Sequence, residues 1–213
     1  MGTDPRAALA LARRSIDDFD IRHMAPVLCE FASCDFGQGL AERKDRASKL
    51  AFSGRRRTTA PLSRQRAQAR TVAHVFDALV DAAAQLHDQD PLPDRVTDPR
   101  QVERWDRTLV RALGERVHLA TDPVIDAKRE LVAEDGFDLP QHDRKAEVIT
   151  QLTGACSELG MPEDRASVLV RALIDPLVAD CVAIQAHEID RTPYPEHLRA
   201  PSRGDEAGDL PAL

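Results

Sequence analysis

The chain has 213 residues, a formal net charge of −7, 42% apolar residues and 31% charged residues, a composition typical of a globular protein rather than of an intrinsically disordered one. Aromatic residues make up only 4% of the chain, which argues against a β-sandwich or a β-barrel. The acidic balance argues against a general nucleic-acid-binding protein.

The sequence contains no recognisable targeting or membrane signal. Its first residues lack a basic run followed by an apolar run, and no stretch approaches the roughly 18 apolar residues that a membrane-spanning helix requires. We therefore expect a cytoplasmic protein without a membrane partner. The cysteines form no CxxC pair and no cluster with histidine at zinc spacing, so we expect them to be buried apolar side chains that hold no metal.

Helical periodicity dominates the first part of the chain. An initial apolar stripe is interrupted by Pro26, which is expected to kink or end a helix there. A second stripe has offsets of 0, 3, 4, 7, 8, 11 and 14, which place its members on one face of an α-helix. The two stripes consist of Leu9, Ala12, Ile16, Phe19, Val27 and Phe31, and of Val72, Val75, Phe76, Leu79, Val80, Ala83 and Leu86.

The second part of the chain also predicts helices. The first is expected to begin at Asp98-Pro99, because Asp is a preferred N-cap, Pro is favoured at the first helical position, and Gln101 completes a pattern that resembles a capping box. Another helix runs from about Arg144 to a stop at Gly160. The last helix carries the apolar stripe Leu169, Leu173, Leu177, Cys181 and Ile184.

Breaks that are rich in Pro and Gly divide the chain into four parts. Residues 1–90 form a helical N-terminal half, residues 91–99 a Pro-rich linker, residues 100–191 a helical C-terminal half, and residues 192–213 a Pro-rich tail. The tail is expected to be a poorly ordered extension. The predicted fold class is therefore all-α.

Two charge features need an explanation. Eight basic residues and no acid lie between Arg46 and His74, which predicts either an anion-attracting surface or an ordinary solvated face. Arg116 falls on the apolar face of its helix, in step with Leu109 and Leu113. Its charge must be paired or bind an anion, unless the side chain reaches solvent at the edge of the helix.

Residues 100–190 resemble the all-helical chorismate mutases. The segment 105–128 reads WDRTLVRALGERVHLATDPVIDAK. It is similar to the first helix of that family, which has an apolar-Asp start, a Leu-rich stretch, an Arg and then Val-x-x-x-Lys, with Asp-Pro-Val typical of the secreted members. Asp143-Arg144 then resembles the start of the family's short second helix, and the Val-Ala-Ile-Gln segment at 182–185 resembles the end of its third.

The N-terminal half shows a weaker likeness to the same family. Residues 14–20 read RSIDDFD, similar to the family's opening Arg-x-x-Ile-Asp-x-Ile-Asp, and residues 75–81 resemble the start of its third helix. Phe31 occupies the position that matches Arg116, which indicates a degenerate second copy. The resemblance implies a helical bundle of the chorismate mutase type, either a fused pseudo-dimer in which Arg14 is the arginine lent to the other half, or a homodimer.

The resemblance also implies an activity. The family rearranges chorismate, a small dicarboxylate with an enolpyruvyl ether, and needs no nucleophile, metal or cofactor. Arginine forks suit bidentate binding of carboxylates, whereas a Lys and an amide donor suit the ether oxygen, on which charge grows in the transition state. By resemblance the catalytic residues are Arg116, Lys128 and Gln185, and the substrate-binding residues are Arg14, Arg144, Glu147 and Cys181.

Three positions depart from the family pattern. Twelve positions separate Arg116 from Lys128 where the family usually has eleven, so an undisturbed helix would place them about 120° apart. Local rewinding near Pro123 is expected to bring Lys128 back. The other two departures leave a choice of residue, either Gln185 or Cys181 beside the ether oxygen, and either Glu147 or Lys145 at the ring hydroxyl.

Three functions stay open on this basis. The first is a chorismate mutase-like enzyme, the second is an enzyme that eliminates pyruvate from isochorismate, and the third is a non-catalytic helical module for dimerisation or ligand sensing. Convergence of Arg116, Lys128 and Arg144 on one enclosed pocket, together with Gln185 or Cys181, would favour an enzyme. A solvent-facing Lys128 would argue against a mutase.

Overall fold

The chain folds as an all-α bundle, as the sequence predicted. The computed structural model describes residues 4–37, 39–53, 60–89, 96–135 and 142–199. Within them the regular structure is helical, and one isolated bridge joins Cys34 to Val96. The α-helices are α1 (Pro5–Phe19), α2 (Ala25–Ala32), α3 (Leu40–Ser53), α4 (Leu62–Gln89), α5 (Pro99–Asp135), α6 (His142–Glu158) and α7 (Glu163–Asp190).

The winding changes just before Pro26, where an interruption was predicted. Asp20–Met24 form a π-helical turn between α1 and α2, and the backbone N–H of Ala25 bonds to the carbonyl of Asp20. Pro26 consequently lies in the first turn of α2, directly after the change in winding. The wide turn carries the chain past the proline and places Asp20 inside the bundle, where it is buried.

The other helix ends follow the local signals in the sequence. Asp98 caps α5 as predicted, because its Oδ1 atom accepts a hydrogen bond of 3.1 Å from the backbone N–H of Arg100. Gly160 takes a positive φ of 94° directly after α6, which confirms the predicted stop. Pro123 differs from expectation, because α5 continues through it as an α-helix and no rewound turn marks its position.

The two predicted halves share one apolar core. The helix α1 packs on α5, α4 packs on α7, and the short helices α3 and α6 pack on α4 and α7. Phe31 and Phe76 from the N-terminal half join Leu113 and Leu173 from the C-terminal half in a single cluster of buried side chains. None of the helices in the described part of the chain is long and apolar enough to cross a membrane.

The first turns of α3 and α6 each carry an arginine that binds a carboxylate on a helix of the other half. Arg43 in α3 forms an ion pair of 2.6 Å with Asp106 in α5, and Arg144 in α6 forms one of 2.5 Å with Asp17 in α1. The Arg43 pair is deeply buried, whereas the Arg144 pair is partly exposed. The ends of α3 and α6 are therefore fastened to α5 and α1 in corresponding ways.

Part of the basic run between Arg46 and His74 is neutralised inside the bundle. Arg64 is buried and donates to Glu188 at 2.7 Å, and Arg46 lies 3.3 Å from the carboxylate of Asp106. Arg55, Arg56 and Arg57 lie outside the described residues. Among the described residues of the run, Arg46 and Arg64 therefore serve the core rather than an open anion-attracting surface.

The first part of the tail differs from the expected poorly ordered extension. Glu196–Leu198 form a 3-10 turn, and Leu198 is buried in a small apolar cluster with Ile125 and Ile184. Arg70 of α4 donates to the carbonyl of Leu198 at 3.2 Å. Residues 191–199 are thus held against α4 and α7, while residues 200–213 and linker residues 90–95 lie outside the described part of the chain.

Candidate functional site

A cavity of about 140 Å³ lies where α1, α5, α6 and α7 meet. Six of the candidate site residues named from the sequence line it, although they come from three different helices. A further basic residue, Arg13, also lines it. The six candidate residues are Arg116, Lys128, Arg144, Lys145, Cys181 and Gln185.

The cavity reaches both Arg116 and Lys128 by following one row of side chains along α5. Arg116, Ala120, Val124 and Lys128 line it at successive spacings of four residues. Each step of four advances about 40° around the helix, so three steps give about 120° without any change in winding. The twelve-residue spacing therefore needs no rewinding at Pro123, because the cavity curves around α5 with this row.

Arg116 is buried at one end of the cavity and is paired there. Its Nε atom donates to Oδ1 of Asp20 at 2.6 Å, as expected for a cation on an apolar helix face. This bond uses Nε, so it does not commit the two terminal nitrogens of the guanidinium fork. Burial raises the pKa of Asp20, although Arg116 opposes that rise, and Oδ2 of Asp20 is buried without a hydrogen-bond partner. An anion in the cavity would therefore compete with a poorly solvated carboxylate for Arg116.

Lys128 and Gln185 form the next part of the wall. The ammonium of Lys128 donates to Oε1 of Gln185 at 2.7 Å, and the amide nitrogen of Gln185 donates to the carbonyl of Ala120 at 2.7 Å. These two bonds orient the amide so that its oxygen faces the lysine. Burial lowers the pKa of Lys128, and the positive charge of Arg13 lowers it further. Since an ammonium has three donors, Lys128 can bond to Gln185 and to a ligand together.

Arg144 and Lys145 place positive charge on the α6 side of the cavity. Arg144 donates to the carboxylate of Asp17 at 2.5 Å and to the carbonyl of Arg13 at 3.1 Å. Lys145 forms an ion pair of 2.6 Å with Asp175, and both of these side chains are partly exposed. With Arg13, Arg116 and Lys128, the lining holds five basic side chains, and its described residues include no acidic one. Arg116, Arg144 and Lys145 are paired with carboxylates outside the lining, so the remaining positive charge of Arg13 and Lys128 favours an anionic ligand.

Arg14 and Glu147 lie away from the inner cavity. Arg14 lines an open depression of about 570 Å³ that also contains Arg6 and shares Leu9, Arg13 and Arg144 with the cavity. The depression forms a basic mouth in front of the cavity, and Arg13 rather than Arg14 reaches inside. Glu147 is exposed on α6, where it accepts a hydrogen bond of 3.1 Å from Gln151. Of the two candidates for the ring hydroxyl, Lys145 is the one that lines the cavity.

A larger cavity of about 450 Å³ lies between α3, α4 and α5 but contains none of the predicted site residues. Its charges are mixed, since Arg107, Arg111 and His118 share it with Glu115. On this side of the bundle, Asp106 occupies the fork of Arg43 through two hydrogen bonds of 2.6 and 3.1 Å. Arg43, which is the counterpart of Arg144 in α3, is therefore already bound to a carboxylate of the chain. We assign the candidate site to the smaller cavity, in which the charged side chains among the described residues are all basic.

Sequence reasoning missed two residues of the site, Arg13 and Asp20, and it named Lys145 only as the alternative to Glu147 at the ring hydroxyl. Arg13 is adjacent to the predicted Arg14, and only the exact phase of α1 separates the two positions. Lys145 is the second residue of an Arg-Lys pair that occurs near the start of both α3 and α6, as Arg43-Lys44 and as Arg144-Lys145. That repeat was a usable signal for Lys145.

Comparison of the chain with protein-family models, with curated proteins and with solved structures found no match. The function assigned to the cavity therefore has to be argued from its own residues.

Proposed function

We propose that this protein is a chorismate mutase-like enzyme and that the cavity between α1, α5, α6 and α7 is its active site. The observation that carries the proposal is the convergence of Arg116, Lys128, Arg144 and Gln185 on one cavity. These residues were selected from the sequence for a dicarboxylate with an ether oxygen. Such a substrate needs separate cations for its two carboxylates and a further donor between them.

The arginines would hold the two carboxylates. Arg116 is buried inside the bundle, whereas Arg144 and Arg13 also line the mouth, so the cavity has both a buried cation and cations that it shares with its mouth. Arginine forks bind carboxylates through two parallel hydrogen bonds, which fixes direction as well as position. Binding at two separated points would keep the substrate in its compact reactive conformer, and this orientation effect lowers the barrier of a unimolecular rearrangement.

Lys128 would stabilise the transition state. In the rearrangement the ether C–O bond breaks while a C–C bond forms, and no proton or electron is taken up or released. Negative charge grows on the ether oxygen as the C–O bond lengthens, and a fixed ammonium in a partly desolvated cavity stabilises that charge. Gln185 would act as a positioning residue, because its amide oxygen holds the Lys128 ammonium at 2.7 Å.

One observation favours a non-catalytic ligand-sensing module as the second candidate. Three of the cavity cations are already paired with carboxylates of the chain, Arg116 with Asp20, Arg144 with Asp17 and Lys145 with Asp175. A ligand that exchanged with these carboxylates could alter the packing of α1 against α5 without any chemical reaction. This candidate predicts binding of a dicarboxylate without turnover.

The test is to incubate the purified full chain with chorismate and, separately, with isochorismate. Loss of substrate is followed by absorbance, and the products are identified by chromatography. Formation of the rearranged dicarboxylate from chorismate supports the mutase. Release of pyruvate from isochorismate alone would replace the mutase by the eliminating enzyme, and no turnover of either substrate by folded protein would overturn the enzyme assignment.

A further inference from the structure

Three metal-ligating side chains meet on the surface formed by α4, α7 and the 3-10 turn of the tail. His74 lies on α4, Asp180 on α7 and His197 in the 3-10 turn. Nδ1 of His74 is 3.0 Å from Oδ2 of Asp180, and Nε2 of His197 is 2.7 Å from Oδ1 of the same carboxylate. One ligand atom from each residue can be chosen so that all three lie within 4.8 Å of one another.

We propose that His74, Asp180 and His197 bind a divalent transition-metal ion of the Zn²⁺ type. Two imidazoles and one carboxylate form a donor set that suits this class of ion, with a fourth position left for water. Around a tetrahedral ion with bonds of about 2.0–2.2 Å, neighbouring ligand atoms lie about 3.3 Å apart. In the structure the two imidazole nitrogens lie 3.0 and 2.7 Å from different oxygens of Asp180, so a bound ion would replace these two hydrogen bonds and separate each nitrogen further from the carboxylate.

Burial of the carboxylate is the second argument for a cation. Asp180 is only 2% exposed, and each of its two oxygens faces a histidine nitrogen. A buried carboxylate needs compensation of its charge. A histidine supplies that compensation only when it is protonated, whereas a divalent ion supplies it while both imidazoles are neutral.

The two histidines leave the site accessible. Their side chains are 45% and 46% exposed, so an ion and its bound water can reach the ligand atoms from solvent. The two rings are tilted against each other with centroids 4.8 Å apart, and small rotations of these half-exposed rings would direct both nitrogens to one ion. Charges of both signs lie nearby. The carboxylate of Asp77 interacts electrostatically with His74, and the guanidinium of Arg70 donates a hydrogen bond to the carbonyl of Leu198.

A bound ion would cross-link the tail to the bundle. The ligands come from α4, α7 and residue 197. The tail is also held by the burial of Leu198, by the Arg70 hydrogen bond and by the stacking of Tyr194 on His187. The ion would thus fix the position of residues 191–199. This inference is independent of the proposed enzyme activity, because none of the three ligands lines the candidate active site.

The test uses untagged full-length protein that has been freed of metal with a chelator and dialysed. We expect it to bind one Co²⁺ per chain with visible absorption bands of a four- or five-coordinate ion, and we expect Zn²⁺ to displace the Co²⁺ and to raise the midpoint of thermal unfolding. The substitution His197→Gln replaces an exposed side chain. It should weaken Co²⁺ binding by at least tenfold and abolish the Zn²⁺-dependent rise in the midpoint of thermal unfolding, and Asp180→Asn should have the same two effects.

The control is His118→Gln. His118 also contacts a carboxylate, that of Asp122 at 3.0 Å, but it lies in the larger mixed-charge cavity. This variant should bind Co²⁺ like the wild type. Absence of stoichiometric binding to the wild type, or unchanged binding to folded His197→Gln protein, would overturn the proposal.

Discussion

The Nε atom of Arg116 lies 2.6 Å from Oδ1 of Asp20, and both side chains are almost completely buried. The pair joins α5 to the π-helical turn that precedes Pro26. It also places a negative charge beside the most deeply buried cation of the candidate active site. Any anionic ligand of the cavity has to share Arg116 with Asp20 or take it from Asp20.

Replacing Asp20 by Asn should therefore strengthen binding of a dicarboxylate. The substitution removes a competing charge while it keeps the size and an oxygen acceptor for Arg116. We expect a gain of about 1–2 kcal/mol, or on the order of tenfold in Kd, for a non-reacting probe such as succinate in a calorimetric titration. Asp18→Asn is the control, because Asp18 is exposed on the neighbouring turn. Weaker binding by folded Asp20→Asn protein would contradict this account of the pair.

Arg43 and Arg144 should respond to removal in opposite ways. Arg43→Ala leaves Asp106 fully buried and poorly compensated, so the free energy of unfolding should fall by about 3–5 kcal/mol. Arg144→Ala breaks a partly exposed pair and should cost only about 0–1 kcal/mol, yet it should lower kcat/KM for chorismate on the order of 100-fold.

Denaturant unfolding and steady-state kinetics measure the two effects separately. A strongly destabilised Arg144→Ala protein with normal kcat/KM would assign Arg144 to the fold rather than to the site. A stable Arg43→Ala protein would show that the buried pair with Asp106 is dispensable.

The lowered pKa of Lys128 predicts that activity and stability change in opposite directions at alkaline pH. Burial is the main cause of the shift, so the ammonium loses its proton below the ordinary lysine value of 10.5. Turnover should fall as pH rises through that lowered pKa, because the neutral amine cannot stabilise the ether oxygen. Between the lowered pKa and 10.5 the unfolded chain binds more protons at this position than the folded chain does, so the Lys128 contribution to the free energy of unfolding rises with pH.

A pH series of kcat/KM and of urea unfolding checks both signs. In Lys128→Met the part of the stability change that is due to this group should disappear. An alkaline loss of activity centred at or above 10.5, or a Lys128 contribution to stability that declines over the same range, would be incompatible with a buried active-site lysine.

The adjacent residues Arg13 and Arg14 provide a matched pair. Arg13 lines the inner cavity and influences the pKa of Lys128, whereas Arg14 is exposed at the mouth. Arg13→Ala should lower kcat/KM more than Arg14→Ala does, and only Arg13→Ala should move the alkaline limb to higher pH. Equal effects of the two substitutions would mean that the mouth, and not the cavity, determines substrate binding.

Much of the fold followed from local chemistry. The apolar spacing at 72–86 and the Asp98 cap depend on residues within a few turns of one another, so both could be predicted before any packing was known. The docking of Leu198 could not be predicted in this way, because it depends on an apolar cluster built from α4, α5 and α7. The π-helical turn has a local cause in Pro26, but its effect on Asp20 is visible only once α5 is packed beside it.

The candidate site was predictable to a similar degree. A charge on an apolar helix face needs a partner, so pairing of Arg116 was expected, but its partner lies 96 positions away in the chain and no spacing rule selects it. The cluster of His74, Asp180 and His197 was not predicted from the sequence for the same reason. Metal motifs are recognisable in sequence when ligands are closely spaced, whereas here 106 positions separate the first two.

The most direct test of the central claim compares Lys128→Ala with Lys49→Ala in turnover of chorismate. Lys49 is 75% exposed on α3 and pairs only with its neighbour Asp45 among the described residues, so its loss should leave kcat/KM unchanged. We expect wild-type protein to convert chorismate and Lys128→Ala to lower kcat/KM on the order of 100–1,000-fold with an unchanged helical circular dichroism spectrum. Full activity of Lys128→Ala, or a folded wild type without turnover, would contradict it.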